Sequence, residues 1–174
     1  AFYNFGSAGQ MELNNQVGEL NVDDVLAPQI FFCDNSTAVA VRTDGFTAFS
    51  GSQSPKEKKT VKFDQEIIST FHDGNRIGFV FDGGDSGHKY LMKVYNTGGK
   101  NTMQKYFDLQ YNSITLQKDK IVLFNEKEFA IYKLNGQKTF QGKYRKPIQN
   151  VLSIRGFRKY MVITEDSADL IRLG

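Results

Sequence analysis

Short apolar runs separated by sharp polar turns recur along the chain, and they are clearest in residues 120–144. Ile121–Phe124 and Phe129–Leu134 are apolar runs, and Thr139–Tyr144 alternates after the pair Asn135-Gly136. Asn-Gly between two such runs is a strong hairpin signal, because a type I′ turn needs positive φ at both central residues. The pattern therefore predicts an antiparallel meander of β-strands with a type I′ turn at Asn135-Gly136.

The same pattern repeats with a period near 40 residues. Apolar segments start at intervals of 39, 44 and 39 residues, at Ala38–Val41, Ile77–Phe81, Ile121–Phe124 and Tyr160–Ile163. The turn glycines Gly99, Gly136 and Gly174 stand 37 and 38 residues apart. A unit of this length with four short strands is typical of a propeller blade.

The repeat predicts an all-β fold, a single β-propeller domain of about four four-stranded antiparallel blades that is complete or is half or part of a larger ring. A β-sandwich has the same strand pattern, and the period is what favours a propeller. The predicted blades cover residues 25–64, 66–109, 113–144 and 148–174. The last blade has only three predicted strands, so residues 1–20 are expected to supply a closing outer strand, at Met11–Asn15. In the first blade, Gly51–Lys59 is predicted to be a loop before a strand at Thr60–Phe63.

Composition narrows the class of protein. The 174 residues are 40% hydrophobic and contain no Trp. No apolar run approaches the roughly 20 residues of a membrane span, and no signal peptide is recognisable. The chain starts at Ala1 without Met, which suggests a processed mature form or an excised segment. The one cysteine, Cys33, follows Ile30-Phe31-Phe32, and its apolar setting favours a buried, unreactive thiol.

Two segments carry a family resemblance, Lys89–Lys100 (KYLMKVYNTGGK) and Glu128–Lys138 (EFAIYKLNGQK). They resemble the third strand and turn of quinoprotein-like and WD40-like propellers, and most of all an uncharacterised bacterial family of membrane-anchored, extracytoplasmic propeller-repeat proteins. The resemblance implies a binding or scaffold module of the cell envelope. The absence of Trp removes both the Trp-Asp dipeptide of WD40 blades and the tryptophans that hold a quinone, so no cofactor is expected.

Charge is distributed unevenly along the chain. Residues 1–50 carry six acids and one base, whereas residues 129–164 carry eight bases and no acid. Three interpretations stay open: a solvated basic face, an intramolecular or intersubunit contact between the acidic first blade and the basic last blade, and a site for an anionic partner. The candidate binding residues are Lys143, Tyr144, Arg145, Lys146, Arg155, Arg158 and Lys159.

The expected partners follow from these interpretations. One is a second copy of the chain, in a homodimer that completes a larger ring. Another is an anionic polymer of the envelope or a protein. Nucleic acid is not expected.

No catalytic motif emerges, so no catalytic residue is predicted. Asp82, Asp85 and His88 lie in one loop and could in principle hold Ca²⁺, but their spacing does not match a calcium loop. A turn-forming surface loop is the preferred interpretation, and no metal is expected. The alternative function is a carbohydrate-active hydrolase with its site at one end of the propeller channel.

Overall fold

The computed structural model describes residues 2–3, 16–18, 29–51, 55–154 and 158–173. They divide into two compact units, Ala1–Ile67 with Asn96–Lys100 and Ile68–Tyr95 with Asn101–Gly174. In the described residues no helix has the length and apolar character needed to cross a membrane.

Strands dominate the described residues, and a single 3₁₀ turn, Gly84–Ser86, interrupts them. The strands are β1 (Phe2–Tyr3), β2 (Gln16–Gly18), β3 (Gln29–Asp34), β4 (Thr37–Arg42), β5 (Gly45–Ser50), β6 (Lys56–Lys62), β7 (Ser69–Asp73), β8 (Arg76–Asp82), β9 (Tyr90–Asn96), β10 (Asn101–Phe107), β11 (Ser113–Gln117), β12 (Lys120–Phe124), β13 (Glu128–Lys133), β14 (Lys138–Lys143), β15 (Asn150–Ser153), β16 (Lys159–Ile163) and β17 (Ala168–Arg172).

Four antiparallel meanders follow one another along the chain, β3–β6, β7–β10, β11–β14 and β15–β17. We call them blades one to four. The predicted all-β architecture of four antiparallel blades, the last with three strands, is confirmed. β1 pairs with β2 in a separate two-stranded sheet. The predicted closing strand Met11–Asn15 lies outside the described residues.

Burial follows the position of a strand within its blade. β4, β12 and β13 are buried on both faces and are almost continuously apolar, as expected of strands covered on both sides. β6, with the sequence KEKKTVK, is largely exposed. It begins at Lys56, so the prediction of a loop up to Lys59 was wrong. Lysines on an outer strand show no apolar alternation because neither face is buried, and they protect the sheet edge from further pairing.

The turn at Asn135-Gly136 is real, but its predicted type was wrong. Gly136 has φ +82°, whereas Asn135 keeps a negative φ. The Gly136 N–H donates to the Lys133 carbonyl at 2.9 Å, and the Lys133 N–H donates to the Gln137 carbonyl at 2.9 Å. This is a type I turn followed by a glycine in the left-handed conformation, which shifts the register of β13 and β14.

Described residues of the second unit form two apolar clusters. One joins blades two and three and includes Val80, Met92 and Leu123. The other joins blades three and four and includes Ile131 and Val162. Blade three is therefore covered on both faces, and it fixes the position of blade four.

Gln117 links blades three and four with its side-chain amide. Its Nε2 donates to the Val151 carbonyl at 2.9 Å, and its Oε1 accepts the Ser153 N–H at 2.6 Å. The amide thus pairs with one backbone carbonyl and one backbone N–H of β15, in the way that the backbone of a neighbouring strand does.

We predict that Gln117→Ala lowers the free energy of unfolding by about 2 kcal/mol, because a half-buried backbone N–H and C=O lose their partners. Chemical denaturation monitored by circular dichroism measures the change. Gln104→Ala, in the exposed part of β10, is the matched control and should have little effect. Equal effects of the two substitutions would contradict the bridging role.

Candidate functional site

The direction of the strands decides which turns share one end of a blade. Antiparallel strands reverse at every turn, so the β11–β12 and β13–β14 turns lie at the same end of blade three. The β15–β16 turn lies at the same end of blade four, because blade four packs on blade three in the same orientation. We call this end of blades three and four the turn end. The opposite end, which carries the connection from β14 to β15, is the linker end.

A groove of about 910 Å³ opens at the turn end. The β11–β12 turn, the β13–β14 turn and the nearby ends of β15, β16 and β17 form its walls. Its lining residues are Asp73, Leu116, Gln117, Lys118, Asp119, Lys120, Lys133, Gln137, Lys138, Thr139, Leu152, Ser153, Ile154, Arg158, Tyr160 and Leu173.

The groove has a net positive charge, and the carboxylates that the structure describes do not pair with its bases. Five of its lining residues are bases and two are acids. Among the described residues, none of these bases forms an ion pair with a carboxylate. Lys133 donates to Gln137 Oε1 at 2.9 Å, and Lys138 donates to Gln141 Oε1 at 2.8 Å. Neutral amides orient these two ammonium groups and leave their charge uncompensated.

The β11–β12 turn is held in an uncommon conformation. Lys118 has φ +59°, in the left-handed region that residues other than glycine rarely adopt. Its N–H donates to Asp73 Oδ2 at 2.6 Å, and its carbonyl accepts Arg76 Nη1 at 2.8 Å. Blade two therefore fixes the backbone that carries Lys118, and the Asp73 carboxylate is already engaged by that backbone.

Apolar side chains contribute to the same groove. Leu116 and Tyr160 are buried, and Lys120 Nζ lies 5.3 Å from the centre of the Tyr160 ring. A cation over an aromatic ring is attracted by the ring's negative face, which keeps the ammonium group at the groove wall. The groove can therefore take a ligand that combines negative charge with apolar groups.

Four of the predicted binding residues, Lys143 to Lys146, lie at the linker end. There Tyr144 donates a short hydrogen bond to Asp169 Oδ2, and Arg145 lies 3.5 Å from the same oxygen. Lys146 Nζ lies 3.0 Å from Asp166 Oδ2. Hydrogen bonds from Tyr144 and Arg145 lower the pKa of Asp169, and the bonds from Lys146 and Thr164 lower that of Asp166. Blade four itself thus engages three of these four side chains.

The remaining predicted residues lie elsewhere. Arg158 lines the groove at the turn end, and Lys159 begins β16 beside it. Arg155 lies outside the described residues. A six-residue strand such as β14 separates the two ends by roughly 20 Å. The structure therefore does not bring the predicted basic residues together on one surface.

Two side chains of the candidate Ca²⁺ loop, Asp82 and His88, already bond to protein groups. Asp82 Oδ1 accepts the Gly84 N–H at 2.8 Å, and His88 Nδ1 lies 2.8 Å from Asp108 Oδ2. The His88 ring also stacks on Tyr106. Within the described part of the chain no three His, Cys, Asp or Glu side chains are grouped as a metal site requires.

Sequence reasoning missed Lys118 and Lys120 because Asp119 stands between them and both precede the acid-free segment. The signal that would have found them is the turn register. Lys120 is opposite both Gln117 and Lys133 in the sheet, so the bases of two separate turns meet at one end.

Comparison with known proteins gives one family. The model of DUF5711, described as a family of unknown function, matches residues 1–173. The comparison with curated proteins gives no match.

Solved structures show the fold. The computationally designed protein Ika4 is 11% identical, with a TM-score of 0.59, and the match covers 91% of this chain and 98% of Ika4. BBS1N, solved in complex with ARL6DN, is 10% identical, with a TM-score of 0.52 and coverage of 82% and 48%. Sqt1 of Saccharomyces cerevisiae is 9% identical, with a TM-score of 0.53 and coverage of 78% and 41%. BBS1N and Sqt1 are β-propellers, and this chain spans less than half of their lengths.

The pairs at the linker end predict a pH dependence. The pKa of Asp169 is lowered below its ordinary 3.8 in the folded state, so its contribution to stability is full above that value and is lost as the pH falls further. Thermal unfolding of the wild type and of Asp169→Asn should therefore differ most near pH 7 and converge in acid. The unpaired Asp119→Asn is the control. A difference that stays constant down to pH 2 would contradict the assignment.

Proposed function

The chain belongs to DUF5711, a family of unknown function, and we propose that it is a non-catalytic β-propeller binding module of the bacterial cell envelope. In this proposal the groove at the turn end binds an acidic segment of a partner protein. The envelope location rests on the resemblance of Lys89–Lys100 and Glu128–Lys138 to anchored extracytoplasmic repeats. Fractionation of cells that produce the intact protein tests it, and recovery in the cytosol would contradict it.

One observation carries the binding role. The five bases of the groove lack carboxylate partners among the described residues, whereas Arg145 and Lys146 at the linker end are paired. Cations held close together repel one another, and an anionic ligand would relieve that repulsion. The turn end is therefore the better binding surface of the two, although the charge run 143–146 is the more conspicuous in the sequence.

The lining favours a peptide over a polysaccharide. Leu116, Leu152 and Ile154 share the groove with the bases, so a ligand with both acidic and apolar side chains fits both features. Complementary charge would give such a contact its orientation and speed of association, and apolar burial would add to its affinity. A solved propeller of this fold, BBS1N, binds a protein, ARL6DN. That precedent supports a protein partner.

The alternative of a hydrolase has no comparable support. A glycoside hydrolase needs one carboxyl group whose pKa is raised, so that it can act as an acid. Every described carboxyl group with a shifted pKa has it lowered, namely Asp34, Asp44, Asp108, Asp166 and Asp169. Hydrogen bonds to the charged form cause each of these shifts and would keep these groups ionised.

Charge reversal in the groove tests the proposal. We expect a fluorescent peptide of alternating Glu and Leu to bind the wild type, with an affinity that falls steeply as salt is added. Lys133→Glu combined with Lys138→Glu should weaken binding at low salt by about 100-fold, because two attractive charges become repulsive. Fluorescence anisotropy measures the affinity.

Lys127→Glu combined with Lys143→Glu is the matched control. Both are exposed lysines of blade three at the linker end, and their reversal should change the affinity much less. A peptide in which Gln replaces Glu should not bind. Equal weakening by the groove and control variants would exclude the groove, and tighter binding of polygalacturonate than of the peptide would favour an envelope polymer as ligand.

A further inference from the structure

One face of blade four is apolar and partly exposed. Leu152, Met161 and Leu170 lie opposite one another on β15, β16 and β17, so they form a row on one face of the sheet. Leu170 is 62% exposed. Val151 and Val162 project from the other face and are buried against blade three. We call the row Leu152, Met161 and Leu170 the outer row.

In blade three the equivalent row contacts the next blade. Val122 and Ile131 occupy in β12 and β13 the places that Met161 and Leu170 occupy in β16 and β17. Both are fully buried in the cluster that blade four completes. The outer row therefore has the position of a blade-to-blade contact. In addition, β17 pairs with no described strand on its far side, so the edge of the sheet is open to another strand.

The outer row is flanked by two positive charges. Lys159 and Arg172 are register partners two residues from Met161 and Leu170, so they lie on the same face. Like charges directly opposite each other on a sheet destabilise it. An acidic surface packed on this face would remove that cost, so the face fits a partner with apolar and acidic groups.

The chain itself offers such a surface on β3, at the start of blade one. Ile30 and Phe32 project from the same face of β3, and Phe32 is 72% exposed. Asp34 ends that strand. Apolar side chains next to an acid are the complement of the outer row and its two bases.

We infer that the outer face of blade four binds the β3 face of a second copy of this chain. The contact is head to tail, with a different surface on each copy. This chain covers 48% of BBS1N and 41% of Sqt1, and a second copy would add further blades beside blade four. The outer row shares Leu152 with the wall of the groove, whereas Met161 and Leu170 do not line the groove. The inference does not depend on the proposed function.

Solution mass tests the inference. We expect light scattering at low salt to give a mass that rises with concentration above the 19.7 kDa of one chain, and added salt to reduce it. Leu170→Glu should weaken self-association at least tenfold. Ile68→Glu is the matched control, because Ile68 is an exposed apolar residue of another blade, and it should leave the mass unchanged.

Mixing two variants tests the head-to-tail geometry. Leu170→Glu and Phe32→Glu each destroy one of the two surfaces, so each should be monomeric alone. An equimolar mixture retains one intact pair of surfaces and should associate again. Arg172→Glu replaces Leu170→Glu if that variant does not fold, as judged by circular dichroism.

The inference is overturned if the wild type keeps the mass of one chain at millimolar concentration. It is also overturned if Leu170→Glu associates as strongly as the wild type, or if the mixture stays monomeric.

Discussion

Each blade of the second unit is a thin sheet with two apolar faces, and neither face can stay in water without cost. Blade three satisfies this constraint on both sides, through the cluster with Leu123 toward blade two and the cluster with Ile131 toward blade four. Apolar burial contributes roughly 25 cal/mol per Å², so both interfaces stabilise the unit. Because blade four packs on blade three, the turns of the two blades come to lie next to one another.

The groove is a consequence of the same arrangement. Stacked blades place their turns side by side, and the bases of the groove come from two turns of blade three and from the β15–β16 turn of blade four. Gln117 ties β15 to blade three, while Asp73 and Arg76 fix the backbone of Lys118. The cationic side chains therefore project from a backbone that is held rigidly. A site prepared in this way loses little backbone conformational entropy when it binds a ligand.

The repeat and the apolar periodicity predicted the four blades, because both reflect the burial of sheet faces. They failed where burial is absent, as at β6, whose lysines look like a loop. Asn-Gly fits both a type I′ turn and a type I turn followed by a left-handed glycine. The two differ in the φ angle of Asn135, which the sequence does not determine. The basic residues were assigned to one surface because they are close in sequence. A strand length separates Lys143 from Arg158, and the acids that pair with Arg145 and Lys146 come later in the chain, at Asp169 and Asp166.

We propose that the turn end, and not the linker end, receives an anionic ligand. Backbone amide chemical shifts of ¹⁵N-labelled protein, titrated with the alternating Glu and Leu peptide, test it directly. We predict that the largest changes fall on the β11–β12 turn, the β13–β14 turn and Ser153. Changes concentrated at Lys143–Lys146, or no changes at any concentration of peptide, would contradict binding at the turn end.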